Sequence, residues 1–259
     1  MNIDLNGKRA MVCGSTAGIG LACAHELASL GASVTLVARN EQKLAGVKAG
    51  LPAGDHQHIA ADFSDPAAVR SAANEALERA GAHHILINNT GGPPGGRAID
   101  AGPDEFVRAF SAHLVCNQHL AQAMVPGMRE AGYGRIINII STSVKAPIPG
   151  LGVSNTIRGA VASWAKTLAN ELGPDGITVN NVLPGFTDTD RLGELFSAKA
   201  KKLGKTQDEI LAGALGSIPA RRLASPEETA FAVAFLASPS ASYISGINLP
   251  VDGGRLQSL

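Results

Sequence analysis

The sequence predicts a three-layer, doubly wound α/β fold on a seven-stranded parallel sheet, and three observations predict it. Short runs rich in Val, Ile and Leu alternate with stretches of helical periodicity almost from end to end. The runs are continuous rather than alternating in polarity, as strands buried on both faces require. No repeat, low-complexity tract or linker divides the chain, so residues 1–259 read as a single domain.

The first strand, residues 9–13, leads through a glycine-rich turn into a helix over 21–30. Residues 33–39 and 57–62 are the second and third strands. Asp65 and Pro66 then open a helix over 66–80, with a capping side chain placed before proline at the first helical position. The fourth strand covers 84–89, a long helix 104–131, the fifth strand 134–141, a helix 154–172 and the sixth strand 177–183. Residues 188–217 are polar, Lys-rich and helical in tone, an insertion expected to pack over another part of the molecule as a lid. Ser225-Pro226 opens the helix 226–237, and residues 247–251 form the last strand. Gly31, Gly81, Gly132 and Gly173 fall just past helix ends, where a left-handed residue is wanted.

Composition narrows the function classes. The 22 Lys and Arg residues balance 22 Asp and Glu residues, so no electrostatic footprint points to nucleic acid or an anionic membrane. Hydrophobic residues make up 45% of the chain, yet no apolar run reaches membrane length. The start lacks a signal-peptide core. Cys13, Cys23 and Cys116 lie in apolar surroundings without metal spacing and read as reduced thiols of a cytoplasmic protein. The histidines offer no pair at metal-ligand spacing on one helix face, so no metal is expected.

The chemistry begins at Gly14-Ser15-Thr16-Ala17-Gly18-Ile19-Gly20, between the first strand and the first helix. Glycines let the backbone turn tightly and approach a phosphate, and the N–H groups at the start of the next helix favour an anion. The spacing is G-x-x-x-G-x-G, not the commoner dinucleotide fingerprint G-x-G-x-x-G. Further polar groups fall where strands end, at the sheet edge where such folds bind ligands. They are Asp62, Asn88-Asn89-Thr90-Gly91, Ser141, then Pro184-Gly185 with Thr187 and Thr189, and finally Asp252-Gly253-Gly254.

Taken in that order, these motifs resemble the short-chain dehydrogenase/reductase family over nearly the whole chain. The resemblance implies a Rossmann-like fold, a nicotinamide cofactor, a small-molecule substrate and a homotetramer. It places Gly14, Ser15, Thr16, Gly18, Ile19 and Gly20 around the cofactor, with the glycines at the pyrophosphate. Asp62, followed by Phe63, would meet the adenine, and Asn88, Thr90 and Gly91 would support the cofactor. Pro184, Gly185, Thr187 and Thr189 would line the nicotinamide side. Where members that use NAD carry an acid to bind the ribose, this chain has Ala38 followed by Arg39. A guanidinium beside an uncharged residue suits a 2′-phosphate, so NADP(H) is expected over NAD(H).

The catalytic positions depart from the family pattern of Ser, Tyr, Lys and Asn. Ser141 is retained, but Ser154 stands at the Tyr position, Arg158 at the Lys position and His113 at the Asn position. An aliphatic hydroxyl is a poor proton donor beside a phenol, and a guanidinium does not readily release a proton. His113, expected to titrate near neutrality, and Lys145, four residues past Ser141, are the candidate proton carriers. Arg158 would hold cofactor or substrate. The set resembles a divergent branch similar to β-ketoacyl-carrier-protein reductases. An NADP(H)-dependent oxidoreductase acting on a carbonyl or alcohol is the favoured reading. The alternatives are a cofactor-binding sensor or partner subunit without reductase activity, and a non-redox isomerase or lyase.

Overall fold

The computed structural model describes residues 1–258. Seven parallel strands lie in the order β3-β2-β1-β4-β5-β6-β7. They are β1 (Arg9–Cys13), β2 (Ser33–Ala38), β3 (Gln57–Ala60), β4 (Ile85–Asn88), β5 (Gly134–Ile139), β6 (Ile177–Pro184) and β7 (Asn248–Val251). The order reverses between β1 and β4, and a doubly wound sheet opens its ligand crevice at the carboxyl ends of the strands at such a point.

Alternate residues of each strand feed two cores. On one face Val12, Leu36, Ile87 and Val182 pack with Cys23 and Leu27 of α1 (Gly18–Ser29) and with Val233 and Leu236 of the last helix (Pro226–Ala237). On the other, Met11, Val37, Leu86 and Ile136 pack with three helices. These contribute Val69 and Ala76 of the helix Pro66–Ala80, Leu120 and Met124 of the helix Cys116–Glu130, and Ala165 of the helix Gly152–Leu172. Truncating any of the fully buried leucines would cost about 2–5 kcal/mol. Cys13, Cys23 and Cys116 are free and buried. Burial pushes the thiols of Cys23 and Cys116 up to about 12.

Several boundaries and one element differ from the sequence expectation. α2 (Glu41–Gly50), capped by the Asn40 side chain on the Lys43 amide, was not expected, because Leu44 is its one buried residue and leaves no apolar stripe. α3 (Pro66–Ala80) has the expected bounds, with Asp65 accepting from the amides of Ala67 and Ala68. The long helix 104–131 is interrupted. α4 (Pro103–Phe110) passes into a π-helical turn, Ser111–Val115, before α5 (Cys116–Glu130). α6 (Gly152–Leu172) begins two residues early. Gly31, Gly81 and Gly132 have positive φ, but Gly173 does not (φ −53°), since a short 3₁₀ turn continues through Asp175. Gly176 takes the left-handed position instead (φ 72°), and a Cβ there would lie 2.8 Å from the Gly132 carbonyl.

Residues 188–217 carry α7 (Asp190–Leu203) and α8 (Gln207–Gly216), capped by Thr189 and Thr206 respectively. α9 is Pro226–Ala237. Here the Ser225 amide donates to the Glu228 carboxylate at 2.9 Å. No helix of the described residues is long and apolar enough to cross a membrane.

Across β4, β5, β6 and β7 the register aligns Asn88, Asn138, Asn181 and Asn248. Each side-chain amide donates to the next carbonyl: Asn88 to Asn138 at 2.8 Å, Asn138 to Asn181 at 2.9 Å, and Asn181 to Asn248 at 2.9 Å. This row satisfies polar groups that would otherwise be costly inside the sheet, and it stiffens the strands that end at the crevice.

Candidate active site

The glycine turn has the geometry of an anion cradle. Gly14 is left-handed (φ 61°), and a Cβ there would lie 2.6 Å from the Asn89 carbonyl oxygen. At Gly20 a Cβ would lie 2.1 Å from the Gly14 carbonyl oxygen, so close packing of α1 on the turn requires glycine. Asn89 Nδ2 fixes the turn from β4, donating to the carbonyls of Cys13 at 3.2 Å and Gly14 at 3.4 Å. Ser15 is fully buried, and its amide and hydroxyl both reach the Val37 carbonyl at 3.5 Å, tying the turn to β2. The N-cap of α1 is Ala17, which offers no side-chain acceptor, and the first turn holds no acid. The N-terminal N–H groups therefore keep their capacity for an anion, which fits the pyrophosphate of a dinucleotide. Thr189, the cap of α7, closes over Gly18, where a Cβ would lie 3.1 Å from Thr189 Cγ2.

Around that turn, Arg39 is exposed just past β2. Asp62 accepts the Ser64 amide at 2.9 Å, and this bond chiefly, with the charge of Arg39 contributing, holds its carboxyl below the ordinary range. Phe63 packs on the core and accepts a weak bond from Cys116 Sγ at 3.4 Å. Asn88 is committed to the amide row and buried. Thr16 and Ile19 are partly buried within the turn, and Gly91 is exposed. Pro184, Gly185 and Thr187 follow β6, where the Gly185 amide donates to the Val251 carbonyl at 2.9 Å.

Of the residues at the altered catalytic positions, Arg158 comes close enough to His113 for its charge to act on it. Ser141, just beyond β5, accepts the Ser143 amide at 3.1 Å and so caps a short 3₁₀ turn. Because its oxygen accepts there, the hydroxyl proton is free to be donated elsewhere. Arg158 of α6 is buried, and its Nη1 donates to the carbonyl of Ile139, the last residue of β5, at 2.8 Å. His113 lies in the π turn, an irregularity of the kind often found at functional sites. Its Nδ1 is 2.6 Å from Thr90 Oγ1. Ser154, in the first turn of α6, is partly buried with no side-chain hydrogen bond among the described residues. Lys145 ends the turn after Ser141 and is exposed.

One expectation is corrected. His113 does not titrate near neutrality: burial, and secondarily the positive charge of Arg158, push its pKa down to about 3. It is a neutral imidazole at physiological pH. Burial also lowers the pKa of Arg158 to about 10, with the nearby charge of Arg191 contributing, and this still leaves Arg158 charged at neutral pH. Among the described residues no group of His, Cys, Asp or Glu could hold a metal ion.

Three residues of the site had no role assigned from the sequence. Asn89 had a signal, as the second amide of Asn88-Asn89, but its anchoring of the turn depends on the β1–β4 pairing. Arg191 of α7 donates to the carbonyls of Gly92 at 3.2 Å and Pro93 at 3.1 Å. Arg255, close to the end of the chain, stacks 4.6 Å above Phe186 and reaches Thr142 Oγ1 at 3.4 Å. Neither arginine carried a local signal.

Comparison with known proteins identifies the family. A family model described as enoyl-(acyl carrier protein) reductase matches residues 14–255. The 3-oxoacyl-[acyl-carrier-protein] reductase FabG of Haemophilus influenzae is 36% identical, the alignment covering 96% of this chain and 98% of that one. The short-chain reductase protein NovJ of Streptomyces niveus is 35% identical over 95% of this chain and 93% of its own. Among solved structures, L-sorbose reductase from Gluconobacter frateurii, complexed with NADPH and L-sorbose, superposes with a TM-score of 0.92 at 31% identity, covering all of both chains. The chain belongs to the short-chain dehydrogenase/reductase family of oxidoreductases.

Proposed function

We propose that this chain, an oxidoreductase of the NADP-dependent short-chain type, reduces a carbonyl through an active site that works without the family's Tyr and Lys. One observation carries the reading. The uncapped start of α1, Ser141, the Thr90–His113 pair and Arg158 all gather at the carboxyl edge of one sheet, beside the β1–β4 reversal. Similarity to an NADPH-complexed reductase supports the same cofactor here. The residues that would hold it are Gly14, Thr16, Gly18, Ile19 and Gly20 at the pyrophosphate, Arg39 at the 2′-phosphate, and Asp62 with Phe63 at the adenine. Thr90 and Gly91, then Pro184, Gly185, Thr187 and Thr189, would line the rest of its path, on the frame set by Ser15 and Asn88. NADP(H) is favoured over NAD(H) because Ala38 offers no competing acid. Bound there, the cofactor supplies the hydride.

The chain's own residues supply the rest. Ser141 donates a hydrogen bond to the carbonyl oxygen as negative charge develops. When Thr90 donates to Nδ1, the proton of neutral His113 sits on Nε2. It can pass to the alkoxide while the Thr90 proton follows to Nδ1 and a solvent proton restores the Thr90 hydroxyl, so that the net proton comes from water. Lys145, exposed at the rim, is the secondary route for a proton. Ser154, an alcohol where the family has a phenol, serves to shape the site. Residues 188–217 are read as the lid within a single domain. Val107 and Phe110 of α4, exposed at 63% and 42%, are read as part of a homotetramer interface.

The test is NADPH oxidation by the purified protein across a panel of ketones, aldehydes and oxo acids. Turnover abolished or severely slowed by Ser141→Ala supports the proposal. Tight NADPH binding with no turnover on any member would favour the sensor alternative.

A further inference from the structure

Among the described residues, Arg158 is a buried cation without a counter-charge. It is 8% exposed, only its Nη1 finds a partner, and its Nε is buried with no hydrogen bond. No carboxylate forms an ion pair with it among the described residues. A guanidinium carries five donors, and a buried charge left unpaired is strongly unfavourable. Nor does Arg158 stand alone, for Arg191, from the first turn of α7, approaches the same point from the lid. Gly92 is shared between them: a Cβ there would lie 3.8 Å from Arg158 Nη2, while its carbonyl accepts from Arg191 Nη2 at 3.2 Å. The acid nearest to Arg191, Glu194, stands 3.6 Å from Nη1 and is itself exposed, so it screens the pair weakly.

Two like charges flanking one glycine repel each other unless an anion lies between them. With the pyrophosphate at the Gly14–Gly20 turn and the 2′-phosphate at Arg39, neither cofactor phosphate is shared by the two guanidinium groups. The ribose hydroxyls expected near Arg158 are neutral and leave the excess charge unbalanced. We infer that Arg158 and Arg191 form a receptor for a carboxylate on the substrate, so that the chain reduces oxo acids in preference to neutral ketones. The fork of a guanidinium matches the two oxygens of a carboxylate, which a lysine at residue 158 would not. Closure of the lid over the bound acid would bring Arg191 to it. This inference deepens the proposed reductase activity and rests on it.

Two measurements test it. In the first, calorimetry follows oxalate binding to the NADP⁺-loaded protein. Oxalate should bind, Arg191→Gln should weaken it about ten- to hundred-fold, as expected for loss of a charge-assisted contact, and Arg191→Lys should restore part of the loss. In the second, NADPH oxidation compares phenylglyoxylate with its methyl ester. The acid should have the higher kcat/KM, and Arg191→Gln should reduce the acid-to-ester ratio by a similar factor. NADP⁺ binding and the unfolding midpoint of each variant report on its folding. Failure of oxalate to bind, tighter binding of inorganic phosphate than of oxalate, or equal turnover of acid and ester would overturn the inference while leaving the reductase reading intact. Absence of NADPH oxidation with any carbonyl would instead remove the reductase reading, and the oxalate calorimetry would then decide the receptor by itself.

Discussion

Ser141→Ala separates what the hydroxyl does for the fold from what it does for the reaction. In the fold, Ser141 Oγ accepts the Ser143 amide at 3.1 Å and caps the 3₁₀ turn that follows β5. Losing a cap of that type costs about 1 kcal/mol, which for a chain of this size lowers Tm by roughly 2–4 °C. In the reaction, the same oxygen turns its proton toward developing negative charge on the substrate. Removing one such donor costs about 2.7–4 kcal/mol, or roughly 10²–10³ in kcat. Cofactor affinity should stay within about two-fold of the parent, since the hydroxyl is assigned to the substrate and not to the nucleotide. Steady-state NADPH oxidation, fluorescence titration of the cofactor and a thermal melt give the three numbers. A variant that melts a few degrees lower yet turns over at the parent rate would show Ser141 to be only a cap. The proton-transfer scheme would then lose its starting point.

Three further outcomes follow from other parts of the structure. Because His113 is held neutral with a pKa near 3, the pH profile of kcat should show no inflection between pH 6 and 8 that His113→Asn removes. The linked effect on stability has a definite sign. The unfolded chain binds a proton at an ordinary histidine pKa of about 6.5 and the folded chain does not. Stability is therefore full above pH 6.5 and falls as the pH drops toward 3, and His113→Asn should lose less of it in acid denaturation. Exchange of Ala38→Asp with Arg39→Leu should turn the cofactor preference from NADP(H) to NAD(H), with about ten- to hundred-fold loss of NADP(H) affinity by titration. Asn138→Ala should destabilise the fold by about 2–6 kcal/mol in chemical denaturation, because it strands both the Asn88 amide and the Asn181 carbonyl. A loss under 1 kcal/mol would mean that the amide row is replaced by other partners.

The parts legible in the sequence share one property: their signal lies in contiguous residues. Continuous apolar runs located all seven strands, and Asp65-Pro66 marked the first turn of α3. Strand ends were read too long by a residue or two at Arg39, Asp62, Asn89 and Ser141. There the chain leaves the sheet and the polar crevice begins, so hydrophobic pattern no longer tracks pairing. α2 was invisible because it buries Leu44 alone. The π turn left no mark either, since one extra residue per turn barely disturbs apolar spacing, although it sets the position of His113. Interactions across the fold were beyond reach. Asn88, Asn138, Asn181 and Asn248 are scattered through 161 positions and meet only through strand register. The depressed pKa of His113 likewise depends on burial by elements distant in sequence and, secondarily, on Arg158 arriving from another helix. The substitutions at residues 113, 154 and 158 could be located by counting, but which of them face one another could not.

Transfer of a label tests the central claim most directly, because it registers hydride movement whatever the rate. The protein would be incubated with NADPH deuterated at C4 of the nicotinamide and with phenylglyoxylate, and the product analysed by mass spectrometry. The account predicts deuterium on the carbinol carbon from the parent protein, and about 10²–10³-fold less product per unit time from Ser141→Ala. Cofactor that binds tightly but transfers no deuterium to this acid, its ester or any other carbonyl offered would contradict it.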